Sequence, residues 1–224
     1  RLMYPAINPL SPKNIHISEK TTLDQLGKAN VPLDKPLVTQ VSRLDPWKDP
    51  EGVIEVFKTV RRQVDCRLVL CYNVASDDPE GLQMYKKVQR KANKMLETGD
   101  ILLVVGNSEK LVNAIQRHSQ VVIQKSTREG FCLTVTEAMW KQTPVLVSGA
   151  AGLRYQVADE QTGKINPDPM DIPGLSETLE YMLNHPKELD KWAFNGQTRV
   201  VEHFTLFSQI EAWLQLFEKL LKTN

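Results

Sequence analysis

Two carboxylates and two cations mark the chemistry open to this sequence. Glu129 and Glu137 stand with seven residues between them in Ser126-Thr-Arg-Glu-Gly-Phe-Cys-Leu-Thr-Val-Thr-Glu-Ala-Met-Trp140, and Arg43 and Lys48 stand five apart in Ser42-Arg-Leu-Asp-Pro-Trp-Lys48. A guanidinium offers a planar fork and an ammonium a compact charge, so this pair suits a diphosphate and could neutralise a leaving group as it develops charge. The carboxylates are acceptors for the hydroxyls of a sugar or of a ribose diol. Each feature also has a plainer reading. The basic pair could be a solvated loop with Trp47 as a packing anchor, and Glu129 a surface carboxylate. Thr134-x-x-Glu137 matches a capping box, in which Glu137 returns to the cap N–H.

These side chains need a scaffold. Short apolar runs at 37–42, 67–72, 101–105, 121–124 and 144–147 alternate with helical periodicity at 52–64, 82–96, 108–115 and 134–141. That alternation implies βαβ crossovers and a Rossmann-like, doubly wound parallel α/β sheet with helices on both faces, spanning 37–170. Residues 1–36, punctuated by Pro5, Pro9 and Pro12, read as an extended interdomain linker. After Gly163 the pattern changes to helices alone at 172–183, 186–201 and 207–221. Residues 171–224 are therefore expected to pack on the sheet or to clasp another domain.

In open parallel sheets, ligands collect beyond the carboxyl ends of the strands. The first strand ends at Arg43 and Lys48, and the fourth leads into the Glu129 loop. Gly130 permits a tight turn there. The N–H groups of Leu133 to Val135 are expected as unpaired donors at a helix start, an anion site, with Glu137 in the first turn. Met139 and Trp140 read as core.

Composition narrows the partners. With 28 basic against 27 acidic residues, the charge of +1 gives no field for nucleic acid or an anionic membrane. Cys66, Cys71 and Cys132 form no CxxC pair, which fits a reducing cytoplasm. No apolar run approaches the roughly 20 residues of a membrane span, and residues 1–10 lack a signal-peptide pattern. The start at Arg1 suggests a fragment. His16, His118, His185 and His203 show no zinc-ligand spacing. A nicotinamide-dependent Rossmann enzyme is disfavoured because no GxGxxG follows the first strand.

The segment Glu129-Gly-Phe-x-Leu-Thr-x-x-Glu137-Ala-Met resembles the EX7E motif of retaining GT-B glycosyltransferases of family 4. The likeness sharpens toward the trehalose glycosyltransferring synthases through Pro5-Ala-Ile-Asn-Pro-Leu-Ser-Pro-Lys-Asn14, residues 41–48, Asp77-Asp78-Pro79-Glu80-Gly81 and residues 134–141. The resemblance implies the donor-binding, C-terminal half of a GT-B fold. A separate N-terminal domain would carry the acceptor site, and the isolated half would be inactive without it. Arg43 and Lys48 would hold the diphosphate, Glu137 the ribose and Glu129 the transferred hexose. The backbone of Gly130, Phe131, Cys132, Leu133 and Thr134 would line the donor, and the base would lie near Gly106 and Leu111. Arg43, Lys48 and Glu129 would be the catalytic set.

The reaction implied is reversible transfer of glucose from a nucleoside diphosphate glucose to glucose, giving trehalose with retention and needing no metal or other cofactor. A retaining trehalose phosphorylase and a non-catalytic nucleotide-sugar or interaction module are the alternatives. An exposed domain face would favour self-association as a homodimer. Four positions depart from the family pattern, which has glycine where this chain has Cys132 and Gln142, and commonly where it has Tyr72 and Asp49. A left-handed backbone at Gln142 would cost about 1–2 kcal/mol.

Overall fold

The computed structural model describes residues 3–73 and 79–222; Asp77 and Asp78, part of the resemblance above, lie outside the described residues. Six strands form one parallel sheet: β1 (Leu37–Arg43), β2 (Arg67–Asn73), β3 (Ile101–Val105), β4 (Ser119–Gln124), β5 (Val145–Ser148) and β6 (Lys164–Asn166). Their order is β3-β2-β1-β4-β5-β6. The chain winds one way from β1 and then reverses to β4, so the loops after these two neighbours diverge and leave a crevice between them.

The helices that cover the sheet are α1 (Glu19–Lys28), α2 (Pro50–Val60), α3 (Pro79–Ala92), α4 (Lys94–Glu97) and α5 (Glu109–His118). They continue with α6 (Leu133–Trp140), α7 (Ala151–Gln156), α8 (Ile172–Asn184), α9 (Pro186–His203) and α10 (Leu206–Lys222). One face of the sheet is closed by α2, α3 and α8 through Val53, Phe57, Val88 and Leu179. The other is closed in two patches: Leu26 of α1 with Ala114 and Ile115 of α5, and Val135 and Met139 of α6 with Val200 of α9. Central strands buried on both faces read as continuous apolar runs, which is why the alternation was visible in the sequence.

Three local features differ from the sequence expectation. The leading segment is not simply extended. Ser18 caps α1 by accepting from Thr21 N at 3.2 Å, and the helix buries Thr22 and Leu26. One apolar position on that face is too sparse for a periodic signal. Secondly, the region after Gly163 is not helical throughout: β6 extends the sheet beside β5, and its three residues carry one aliphatic side chain, Ile165. Thirdly, Asn93, with φ 27°, breaks the expected 82–96 helix into α3 and α4. At the chain's end α10 lies on the surface with none of its residues buried, exposing Phe207, Ile210, Leu214 and Phe217. No helix among the described residues is long and apolar enough to cross a membrane.

Candidate functional site

The end of β1 is shaped by aspartates. Asp45 Oδ1 accepts from Lys48 N at 3.0 Å, closing a 3-10 turn over Pro46–Lys48, while Gln40 Nε2 donates to Lys48 O at 2.8 Å. Lys48 is thereby held through both its backbone groups. The next residue, Asp49, is left-handed (φ 46°) and caps α2 by accepting from Gly52 N at 2.9 Å. Its second oxygen pairs with Lys125, a wholly buried lysine just past β4. A buried ammonium demands such a partner. The pairing clips the β1 loop to the β4 loop and brings Lys48 to Glu129, with which it forms an ion pair. Arg43 behaves differently: its side chain is 77% exposed and lies 3.6 Å from Asp45 Oδ2. Trp47 is half exposed beneath the Arg128 guanidinium (4.8 Å to the ring centroid), so it is not a packing anchor.

The Glu129 loop is braced from behind. Glu129 accepts from Gly130 N at 3.1 Å and from Ser126 Oγ at 3.4 Å. Gly152 N donates to Glu129 O at 3.1 Å, and Gln156 Nε2 donates to Phe131 O. A side chain at Gly152 would collide with the Gly130 and Phe131 backbone, so the N-terminus of α7 can approach only because that residue is glycine. Phe131 itself is buried between Tyr4 (6.1 Å) and Phe204 (5.6 Å), and its carbonyl is taken by Gln156, so it lines neither hollow at the strand ends.

Cys132, left-handed at φ 81°, is the residue before α6, and its carbonyl accepts from Val135 N at 3.0 Å. The expected row of open donors is therefore shorter than the sequence suggested. Leu133 and Thr134 remain, and Val135 is spent. The Cys132 sulfur stands 3.9 Å from Lys48 Nζ. Burial pushes this thiol up to about 11 in spite of the lysine. Burial pulls the Lys48 ammonium down, but Cys132 and Glu129 outweigh it and hold its pKa above the ordinary lysine value.

Glu137 is not part of a capping box. The helix begins at Leu133, one residue earlier than expected, which moves Glu137 into the second turn, and the N-cap position belongs to Cys132. The Glu137 carboxylate instead meets Lys13 Nζ at 3.4 Å, with the two side chains 8% and 34% exposed. Burial raises the Glu137 pKa, opposed by Lys13 and Lys141. Lys141 Nζ donates to Asn14 Oδ1 at 2.9 Å and to Glu137 O at 3.0 Å, and burial lowers its own pKa.

Two hollows that share Arg43 lie at the strand ends, and Glu137 lines neither of them. One of about 320 Å³ is lined by Arg43, Lys48, Arg128, Glu129 and Gly130. The other, of about 380 Å³, is lined by Lys13, Arg43, Gly106, Asn107, Glu109 and Thr134. Leu111 does not join them. It lines a neighbouring hollow with Asn107 and Ser108, on the far side of the β3 end. A larger hollow of about 530 Å³ lies between α8, α9 and β6, away from the strand ends where backbone donors converge. Among the described residues no cluster of three or more His, Cys, Asp or Glu side chains is placed to hold a metal ion.

The structure thus brings Arg43, Lys48, Glu129, Gly130, Cys132 and Thr134 together, with Glu137 close behind Thr134. It also adds residues the spacing argument missed. Lys13, Gly152 and Gln156 reach the site from other segments, and Lys125, just ahead of Ser126, reaches across to Asp49. Of these, Lys13 alone lay in a motif already singled out, Pro9-Leu-Ser-Pro-Lys-Asn14.

Comparison with known proteins gives the chain's family and fold. The profile of the family described as glycosyl transferases group 1 matches residues 23–199. The chain is 38% identical over 216 residues to the trehalose synthase of Thermococcus litoralis, covering 96% of this chain and 52% of that protein, so it spans about half the length of this relative. Among solved structures, the sucrose-phosphate synthase of Thermosynechococcus elongatus superposes with a TM-score of 0.82 at 23% identity, over 100% of this chain and 53% of the other. The C-terminal domain of a group 1 glycosyl transferase family protein from Francisella tularensis gives 0.73 at 19% identity, over 88% of this chain and 99% of that one. The likeness to these structures is one of fold.

Proposed function

Because the chain belongs to the group 1 glycosyl transferases, we propose that it is the nucleotide-sugar-binding half of a retaining hexosyltransferase with the EX7E arrangement of family 4. The enzyme would move glucose reversibly between a nucleoside diphosphate glucose and glucose, making trehalose. The carrying observation is the hollow in which Arg43 and the Lys48–Glu129 pair face one another at the ends of β1 and β4.

In this reading the diphosphate lies against Arg43, Lys48 and the open N–H groups of Leu133 and Thr134. There the cations and the start of α6 stabilise the charge that grows as the bond from hexose C1 to phosphate oxygen breaks. A new bond forms from C1 to a glucose hydroxyl on the same face, and the hydroxyl proton passes to the departing phosphate oxygen, so the anomeric configuration is kept. Lys48 rests against Glu129 before the donor arrives. Sharing its charge with the diphosphate would leave a Glu129 oxygen to accept from hexose hydroxyls. The ribose would lie toward Glu137 and the base toward Gly106. Charge neutralisation by side chains takes the place a metal ion could fill, so no metal is required. The acceptor and the rest of the cleft would come from a second domain, without which orientation and exclusion of water are incomplete and turnover is lost.

Calorimetric titration of the chain with ADP, UDP and their glucose esters tests the donor-site reading. Binding of at least one of the four at millimolar concentration or below is expected, and heat from none of them would sink it. In the enzyme with both halves, trehalose formation should follow the nucleotide sugar. Formation from glucose 1-phosphate, with release of phosphate, would point to a phosphorylase instead.

A further inference from the structure

Lys13 reaches the cleft from a segment remote in sequence, and the carbonyls on either side of it are both claimed by side chains of the covering helices. Pro12 O accepts from Asn113 Nδ2 at 3.0 Å, and Asn14 O accepts from Trp140 Nε1 at 2.9 Å. Asn113 also donates to Ile15 O at 2.8 Å, and the Asn14 side chain takes the Lys141 bond. Asn113 is fully buried and Asn14 nearly so. Buried amides that lose their partners are costly, so the backbone at 12–15 is fixed against α5 and α6. The Lys13 side chain is left to point along the hollow that holds Arg43 and Thr134, ending 3.4 Å from Glu137 Oε1.

What it meets there is a carboxylate whose one ion-pair partner among the described residues is Lys13, although the Lys141 charge also favours its ionised form. The nearby Lys141 ammonium is engaged by Asn14 and by the backbone carbonyl of Glu137, not by its carboxylate, and Glu109 across the hollow adds a like charge. A carboxylate receives two hydroxyl donors well only while ionised, because the acid form replaces an acceptor by a donor. Burial drives Glu137 toward that acid form.

Resting on the donor-site reading above, we propose that Lys13 is a positioning residue of the nucleotide site: its ammonium, which lines the hollow, anchors the Glu137 carboxylate just behind Thr134 so that it can accept both hydroxyls of a ribose diol. Lys13 acts through Glu137 and not on the phosphates, and this sets it apart from Arg43 and Lys48.

The test uses ADP or UDP, whichever the chain binds, and its 2′,3′-dideoxy analogue. Affinities are measured for the wild type, Lys13→Met, Lys13→Arg, Glu137→Gln and the double variant. Lys13→Met should weaken the ribonucleotide about tenfold and the dideoxynucleotide less than about twofold. Lys13→Arg should recover most of the loss. The double variant should be no weaker than Glu137→Gln alone, because Lys13 has nothing to act through once the carboxylate is gone. The ratio of the two nucleotides is read within each variant, so a partly unfolded sample does not imitate the result. Equal loss for both nucleotides, unchanged ribonucleotide affinity in Lys13→Met, or additive losses in the double variant would overturn the proposal. If the wild type binds neither ADP nor UDP, the donor-site reading falls and takes this one with it.

Discussion

At the loop leading into α6, Glu129 and its lysine are both mostly enclosed, with 12% and 16% of their side chains exposed; Glu129 accepts from the neighbouring Gly130 N, and the Lys48 backbone is held by Asp45 and Gln40. One turn inside the helix, Glu137 is as enclosed, at 8%, but its partner Lys13 is 34% exposed and stands 3.4 Å away. The first pair is rigid because Asp45, Gln40 and the buried Asp49–Lys125 clip leave Lys48 little room. The second has one fixed member and one that can swing. That difference suits a division of labour. Charge that appears during bond breaking is best met by groups already in place, whereas the stationary end of a ligand can be gripped after it arrives.

The largest expected effect follows from the rigid pair. In the enzyme assembled with its other half, Lys48→Met should lower kcat by about 10²- to 10³-fold with KM changed only a few-fold, as expected when a preorganised charge is removed. Lys13→Met should do the opposite, raising KM for the nucleotide sugar with kcat nearly kept. Steady-state kinetics at saturating glucose separates the two. If both substitutions act on KM alone, the two pairs do one job and the contrast is broken.

A second test concerns the sulfur beside Lys48. Proximity to Lys48 would by itself make Cys132 a reactive thiolate, but burial has the larger effect and pushes the thiol up to about 11. Deprotonation then lies far above neutral pH. At pH 8 iodoacetamide should modify Cys132 roughly 100-fold more slowly than an ordinary thiol, with the rate climbing about tenfold per pH unit up to about pH 10. Peptide mapping by mass spectrometry over a pH series reads this directly. Rapid labelling at pH 8 would mean that the lysine prevails over burial, and the loop end of α6 would then be less enclosed than described.

Some of this was legible in the sequence for definite reasons. The runs that became β1 to β5 are apolar because both faces of the sheet are covered, and Arg43, Lys48 and Glu129 stand where strand ends must turn. β6 escaped notice because Lys164-Ile165-Asn166 is too short to alternate, and α1 because Leu26 is its sole fully buried aliphatic residue. The capping-box match at Thr134 and Glu137 misled because a pattern of two residues cannot say where a helix starts, and Cys132 starts it early. Lys13 and Gln156 act across tertiary contacts from segments distant from Glu129 and Glu137, and Lys125, four residues before Glu129, acts through Asp49, 76 residues away; no local spacing records that.

The smallest expected effect compares the two left-handed residues that bracket α6, Cys132 at φ 81° and Gln142 at φ 58°. Both stand where the family pattern implied by the resemblance has glycine, and an L side chain in a left-handed conformation costs about 1–2 kcal/mol. Glycine removes that strain but adds about 0.5–1 kcal/mol of lost chain entropy on folding. At Gln142 the further loss is an exposed hydrogen bond to Gln197 Oε1 (2.8 Å), worth little in water. At Cys132 the further loss is a side chain packed against the cluster of Phe131, Val135 and Phe204. Gln142→Gly should therefore stabilise the chain by about 0.5 kcal/mol, a rise of roughly 1–2 °C in Tm, whereas Cys132→Gly should be neutral or slightly destabilising. Thermal unfolding of the two variants side by side measures the difference. If Cys132→Gly is the more stabilising of the two, strain and not packing dominates the loop end of α6. Glu129 is then held against a backbone under tension, and the rigidity assigned to the Lys48 pair has a different source.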